Sequence, residues 1–435
     1  MLTSAPVPIG EGWDMNITAS ARAFEGKTAF TEACGLGTGP VPLEPYRLPE
    51  FFERERAQVF ERAWLLVGRE EEIPAYGDYF ATELLPGGVS AILNRGKDGR
   101  IRAFYNTCSH RGSQVLDGPT GNARRIVCPY HNWTYAADGD LISIPDEASF
   151  FAVDKKRCGL TPMATETWEG WIFVNLQRQP EVDLRTFLGD FADRLAGVPY
   201  VAADKPIVLK ADLDANWKVV QDAFIESYHI PAIHKKTIAQ TFSSSENRFA
   251  RLLDARTFGP HRTVSMYGNP TMPLDERNKV EMLAYASGDT GSLIAAGTSS
   301  QMAEFLDHPA VNPTRAGCWS MDVNNLFPNT QIDFGPGGFW VHQFWPLTPT
   351  TSRYEVRFYV PDALNARQRL QQELYVARVI EVVLEDLANV ARTQRGINSS
   401  GKDEMQLQDS EVGIRHSVEQ LLKWVEAETV TEALA

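Results

Sequence analysis

Two short clusters, Cys108-Ser109-His110 and Cys128-Pro129-Tyr130-His131, constrain this chain more than any other feature. Two cysteines and two histidines in paired close spacings form a four-ligand metal site. Zinc sites usually group two cysteines and then two histidines, with no need to alternate them. A two-iron, two-sulfide centre with mixed ligation does need the alternation. One iron takes two thiolates and the other two neutral imidazoles, so each loop must send one ligand to each iron. Gly112 after the first loop and Asp138-Gly139 after the second fit tight turns. Trp133 and Tyr135 alternate after His131, as the core of a small β-domain would.

The segments CSHRG and CPYHNWTYAADGDL resemble the two cluster-binding loops of the Rieske non-haem iron oxygenases, large (α) subunit. The resemblance implies an α+β fold: a small antiparallel β Rieske [2Fe–2S] domain, then a catalytic domain with an antiparallel sheet flanked by helices, of the helix-grip type. The expected division is an N-terminal arm over 1–46 packing on the catalytic domain, a Rieske domain over 47–177 and a catalytic domain over 178–435.

A chain of 435 residues with 43% hydrophobic content suits two or three globular domains. The formal charge of −14 repels nucleic acid and anionic membranes at long range, so neither is an expected partner. No apolar run of about 18 residues appears, and the first residues lack a basic segment followed by an apolar one. A soluble cytoplasmic protein is expected. Cys34, Cys158 and Cys318 show no pairing pattern and are read as reduced bystanders.

Along the chain, residues 1–45 read as an extended arm with one short helix. The spacing of Phe52, Val59, Phe60 and Trp64 predicts a helix from Pro49 to Leu66. Strands are predicted over Tyr79–Leu84, Val89–Asn94, Ile101–Tyr105, Arg125–Cys128, Trp133–Ala136 and Gly170–Leu176. Helical patterns begin near Glu181. Residues 261–310 carry little pattern and read as a surface excursion or a lid. Residues 318–360 read as strands, with a turn at Gly335-Pro336-Gly337-Gly338.

A second concentration of chemistry follows Asn216, in the run VVQDAFIESYHIPAIHKK. His229 and His234 are five positions apart, about 500° along a helix, which leaves them roughly 140° apart. Pro231 is expected to end the helix between them, so that both can turn to one side. Asp222, Glu226 and His229 stand at i, i+4 and i+7 and predict one polar stripe. The stretch is similar to the mononuclear-iron motif of the same family. Carried across, His229 and His234 take the iron-ligand places and Glu226 the acidic place, where it bridges His131 of one subunit to His229 of the next. Glu at this place is typical of relatives that oxidise choline and carnitine, whereas ring-dihydroxylating members mostly have Asp. Asp222 is carried as a further candidate catalytic carboxylate.

Two histidines and one carboxylate make the facial triad that leaves open positions on Fe(II). Family members draw the carboxylate from a late helix, here expected over Asp362 to Gly396, which offers Glu385 and Asp386. Glu385 shares a polar face with Arg378, Glu381, Asn389 and Arg392 and reads as solvent-facing. Asp386 lies in an apolar stripe with Val379, Val383 and Val390, so it is the carboxylate aimed inward and the expected ligand. His261, His308, His342 and His416 have no partner at ligand spacing and read as structural; the strand FWVHQFW around His342 could line a pocket, but Phe339, Trp340, Phe344 and Trp345 read first as sheet core.

The resemblance implies a terminal oxygenase with one [2Fe–2S] Rieske cluster and one Fe(2+) per chain, hydroxylating a small aromatic substrate with O2. The alternative is a Rieske monooxygenase that dealkylates at N or O or oxidises a quaternary-ammonium substrate. No flavin or nicotinamide fingerprint occurs, so a separate NAD(P)H reductase, with or without a ferredoxin, must deliver electrons. The implied assembly is a homotrimer, with an α3β3 form as the variant.

Overall fold

The computed structural model describes residues 28–84, 88–199, 205–271, 299–335, 338–360, 362–363 and 365–435. The weakly patterned stretch over 272–298, the first part of the arm and the middle of the turn at 335–338 lie outside the described residues.

Two seven-stranded antiparallel sheets organise the chain. The first is built from β2 (Leu65–Arg69), β3 (Asp78–Leu84), β4 (Val89–Arg95), β5 (Ile101–Tyr105), β6 (Thr120–Asn122), β10 (Pro162–Trp168) and β11 (Trp171–Asn175), in the order β2-β11-β10-β5-β4-β3-β6. Beside it β7 (Arg125–Val127), β8 (Thr134–Ala136) and β9 (Leu141–Ser143) form a small three-stranded sheet. The two ligand-bearing loops therefore leave β5 and β7. Gly112 and Gly139 take φ of +75° and +90° in the turns expected of them, and a side chain at Gly139 would strike Phe104.

The second sheet runs β12 (Ile207–Leu213), β18 (Thr351–Phe358), β17 (Gly338–Thr348), β16 (Thr330–Gly335), β15 (Trp319–Leu326), β14 (His261–Tyr267) and β13 (Asp254–Phe258). The helix Trp217–Asp222 lies on β17 and β18, and the 33-residue helix Ala366–Asn398 lies on that helix in turn. Asn216 and Asn365 cap the two helices, accepting from the backbone N–H groups of Lys218 and Gln368.

The sequence expectations need several corrections. The helix from Pro49 ends at Phe60, its last turn widened to a π-helix, and Leu65–Arg69 is a strand buried on both faces. Full burial removes the alternation that marks a half-exposed strand. The strand His261–Tyr267 is buried at every position for the same reason, so its part of the weakly patterned stretch is sheet interior. The helix after Asn216 stops at Asp222, and Pro231 sits in the first turn of a separate short helix, Ile230–Ile233. Asp222, Glu226 and His229 thus do not form one helical stripe.

The two sheets meet through polar contacts. Gln343 donates to the Leu66 carbonyl at 2.6 Å, Arg357 pairs with Glu72 at 3.0 Å, and the Tyr359 hydroxyl donates to Glu72 at 2.9 Å. The helix Pro49–Glu55 sides with the second sheet: Glu55 receives the ammonium of Lys218 at 2.8 Å and the indole N–H of Trp217 at 3.1 Å, all three buried. From the arm, β1 (Val41–Pro42) pairs with β19 (Glu404–Met405). Among the described residues no helix is long and apolar enough to cross a membrane.

Candidate metal centres and active-site cavity

At the tip of the first sheet, His110 and His131 turn Nδ1 toward each other at 3.2 Å. Cys108 and Cys128 are buried behind them. Burial raises the pKa of the Cys108 thiol, Tyr135 works against that rise, and the neighbouring Cys128 adds to it. Two thiols close enough to perturb each other, facing two imidazoles, are the donor set of a mixed-ligand two-iron cluster. The surrounding aromatics hold this geometry. Trp133 stacks on His110 with ring centroids 5.1 Å apart and planes 7° apart, and Tyr130 lies 3.8 Å from the His131 ring. The Tyr135 hydroxyl accepts from the Ser109 N–H at 3.0 Å and sits 3.1 Å from Cys108 Sγ. A cluster-bound thiolate can only accept, so with a cluster in place the proton between them is the phenol's, a role beyond the plain core packing read from the sequence.

The second centre forms where the loop after Asp222 meets the long helix. His229, His234 and Asp386 each bring one ligand atom into a group spanning no more than 4.8 Å. Nε2 of His229 and Nε2 of His234 are 3.1 Å apart, and Asp386 Oδ1 lies 3.3 Å and 3.0 Å from them. Each imidazole is held from behind by a carboxylate on Nδ1: Glu226 on His229, and Glu385 on His234 at 2.7 Å. Burial opposes protonation of His229, but Asp386 and Glu226 outweigh it and raise its pKa to about 10. Such a group holds protons where a metal cation fits better, since the two Nε2 atoms and a carboxylate oxygen already converge.

The long helix places Asp386 inward as its apolar stripe predicts. Glu385 is not a plain surface residue: its side chain is 24% exposed and also receives the Thr237 hydroxyl at 2.6 Å. Its adjacency to Asp386 was the available signal, but its partner lies 151 positions away. Asp222 stays out of the cluster. It is half-buried, accepts from the Tyr46 hydroxyl at 2.7 Å, and desolvation of its carboxyl pushes its pKa up to about 7 against the pull of Tyr46, Arg262 and Lys218.

A cavity of about 530 Å³ opens over His229, His234 and Asp386. Its walls are largely apolar, with Phe224, Ile230, Met266, Val323 and Val383 among them. Trp340 and His342 line it too, so the pocket reading of that strand holds for these two residues. Cys318, read as a bystander, is also in the wall.

Residues 193–427 match the family described as the ring hydroxylating alpha subunit (catalytic domain), and residues 63–163 match the Rieske [2Fe-2S] domain. The chain is a Rieske non-haem iron oxygenase large subunit. It is 32% identical to the carnitine monooxygenase oxygenase subunit of Acinetobacter pittii over 82% of this chain and 84% of the relative. It is 30% identical to the large oxygenase component of the 2,4-dinitrotoluene dioxygenase system of a Burkholderia species, over 70% and 66%. Two solved structures share the fold. A quaternary ammonium Rieske monooxygenase superposes with a TM-score of 0.69 at 21% identity, covering 89% of this chain and 95% of the other. Naphthalene 1,2-dioxygenase from Rhodococcus sp. gives 0.68 at 23%, again covering 89% and 95%. This oxygenase therefore carries a Rieske [2Fe–2S] cluster and a mononuclear iron as its cofactors.

Proposed function

We propose that the oxygenase holds its cluster on Cys108, His110, Cys128 and His131, holds its mononuclear iron on His229, His234 and Asp386, and oxidises one small organic substrate in the cavity above them. The convergence of two Nε2 atoms and Asp386 Oδ1 at 3.0–3.3 Å under an apolar cavity carries this assignment. When bound, the cluster supplies electrons singly and the iron supplies open positions for O2. Glu226 and Glu385 fix the two imidazoles with Nδ1 outward and Nε2 inward. The apolar walls hold the substrate and exclude water from the reacting face.

We read the chain as an arm over 1–46, a Rieske domain over 47–177 and a catalytic domain over 178–435, with the helix Pro49–Glu55 as a strap onto the catalytic half through Glu55 and Lys218. A trimer, in which Glu226 links His229 to His131 of the next subunit, fits the exposed position of the cluster tip, where Tyr130 is 55% exposed. Electrons come from NAD(P)H through a separate reductase. Cys34, Cys158 and Cys318, which form no disulfide, suit a reducing cytoplasm. Aromatic hydroxylation remains one substrate reading. Glu226 and the long match to a carnitine monooxygenase favour the other, oxidation beside a substituted nitrogen.

Iron and sulfide analysis of the purified protein tests the assignment, with about three irons and two sulfides per chain expected. Two irons with unchanged turnover would refute the mononuclear site. A substrate panel with a matched reductase then separates ring hydroxylation from dealkylation by the product formed.

A further inference from the structure

The cavity floor contains a carboxylate that the metal sites do not use. Asp333 lies on β16, directly opposite Trp340 on β17 and Val323 on β15, so all three face the same side of the sheet. That side is the cavity, which all three line. The Asp333 side chain is 5% exposed. Its Oδ1 is buried with no hydrogen-bond partner.

Its other oxygen is poorly compensated. Gln331 donates an amide N–H to Oδ2 at 2.9 Å. His342 Nε2 lies 3.2 Å from Oδ2, but that nitrogen accepts the Trp340 indole N–H at 2.8 Å. It is therefore the unprotonated nitrogen, and His342 turns its N–H at Nδ1 to the Tyr354 oxygen at 2.6 Å. A buried carboxylate served by one amide lacks a cation.

The cavity around it suits an organic cation. The indole N–H groups of Trp340 and Trp319 are both consumed within the wall, by His342 and by Asp322 at 3.0 Å. What these residues offer the cavity is ring surface, which attracts a positive charge without demanding hydrogen bonds from it. Arg378 also lines the cavity, from the long helix that carries Asp386.

We propose that Asp333, with Trp340 beside it, binds a positively charged alkylated nitrogen of the substrate and thereby sets which end of the molecule faces the metal ligands. The inference rests on the cavity being the oxygenase substrate site. Asp333 acts here as a specificity residue, through charge.

The test is equilibrium binding to the anaerobic holoenzyme, using choline and its neutral isostere 3,3-dimethylbutan-1-ol, which differ in N⁺ against carbon. Wild type should prefer choline at least tenfold, and raising salt should weaken choline alone. Asp333→Asn should abolish the preference while keeping the alcohol's affinity, the iron content and the cluster spectrum. Equal affinities in wild type, no binding of either probe, or a preference that survives Asp333→Asn would each overturn the proposal. Should Asp333→Asn not fold, the wild-type comparison decides alone. Iron analysis of the same sample separates the two levels. Three irons per chain with no preference overturn the Asp333 subsite and leave the oxygenase reading standing, whereas a missing third iron overturns both.

Discussion

His234 Nδ1 rests 2.7 Å from Glu385 Oε2 while its Nε2 lies 3.0 Å from Asp386 Oδ1, so two successive residues of one helix grip the two ends of one imidazole. The neighbours divide the work: Asp386 is positioned as a metal ligand, and Glu385 holds the tautomer that leaves the Nε2 lone pair free. Asp386→Ala should lose about one iron per chain and all turnover. Glu385→Ala should retain iron at saturation but bind it about 10 to 100-fold more weakly. Iron titration of the two apo variants checks this, and an unchanged iron affinity in Glu385→Ala would remove its positioning role.

Tyr135 makes a parallel prediction for the cluster. The hydroxyl accepts the Ser109 N–H and lies 3.1 Å from Cys108 Sγ, which as a cluster thiolate could only accept the phenol proton. A hydrogen bond to a cluster thiolate stabilises the added electron. Tyr135→Phe should keep the Rieske spectrum and lower the midpoint potential, whereas Cys108→Ser should abolish the signal. Voltammetry of the purified variant decides, and an unshifted potential would mean that the phenol donates elsewhere.

How far the chain could be read in advance follows from where each partnership lies. The proposed cluster ligands sit within two short loops, where alternation of residue type alone singles them out. Asp386 was legible because one acid in an apolar helical stripe breaks a period. The contact between Glu385 and His234 joins residues 151 positions apart, and no local pattern encodes it. Leu65–Arg69 and His261–Tyr267 hid for a different reason: strands buried on both faces carry no alternation, and the first was absorbed into the helix before it. The polar stripe at Asp222 misled because the helix stops there, and Asp222 instead takes the Tyr46 hydroxyl, a partner 176 positions away that no local pattern encodes.

The proposed link between subunits runs through Glu226. One oxygen holds His229 Nδ1, and the other accepts the backbone N–H groups of Tyr228 and His229, the latter at 3.2 Å. Glu226→Gln should preserve both metal contents and reduction of the cluster by an external donor. Cluster reoxidation in single turnover with substrate should become slow and yield little product, and Glu226→Asp should recover part of the rate. A merely stabilising glutamate would cost about 0.5 kcal/mol or less and leave turnover near normal. Normal reoxidation coupled to product in Glu226→Gln would refute the cross-subunit link.

The last prediction concerns acid stability, and it separates three groups by sign. His261 donates from Nε2 to the Phe187 carbonyl at 2.9 Å and accepts the Phe327 N–H at Nδ1 at 3.1 Å, so both nitrogens are satisfied by the neutral ring. Burial depresses its pKa from 6.5 to about 4, and burial with the Arg262 cation depresses that of His416 to about 3. Below pH 6.5 the unfolded chain takes up protons that the folded chain refuses, so both histidines make stability fall as pH drops from 6.5 toward 4. Asp222 works in the other direction. Its pKa rises from 3.8 to about 7 on folding, so the folded chain keeps a proton that the unfolded chain loses, and stability falls as pH rises through that window. Each group contributes at most about 1.4 kcal/mol per pH unit. Asp322, pushed up to about 6 by burial, acts in the same sense as Asp222, so the sign is read from variants against wild type in urea midpoints of the holoenzyme between pH 6.5 and 4.5. Relative to wild type, His416→Gln should make stability fall less, or rise more, as pH drops through this range, whereas Asp222→Asn should do the reverse. An unchanged pH dependence in either variant would show that the group titrates in the folded protein as it does in the unfolded chain, and a change of the opposite sign that its pKa shifts the other way.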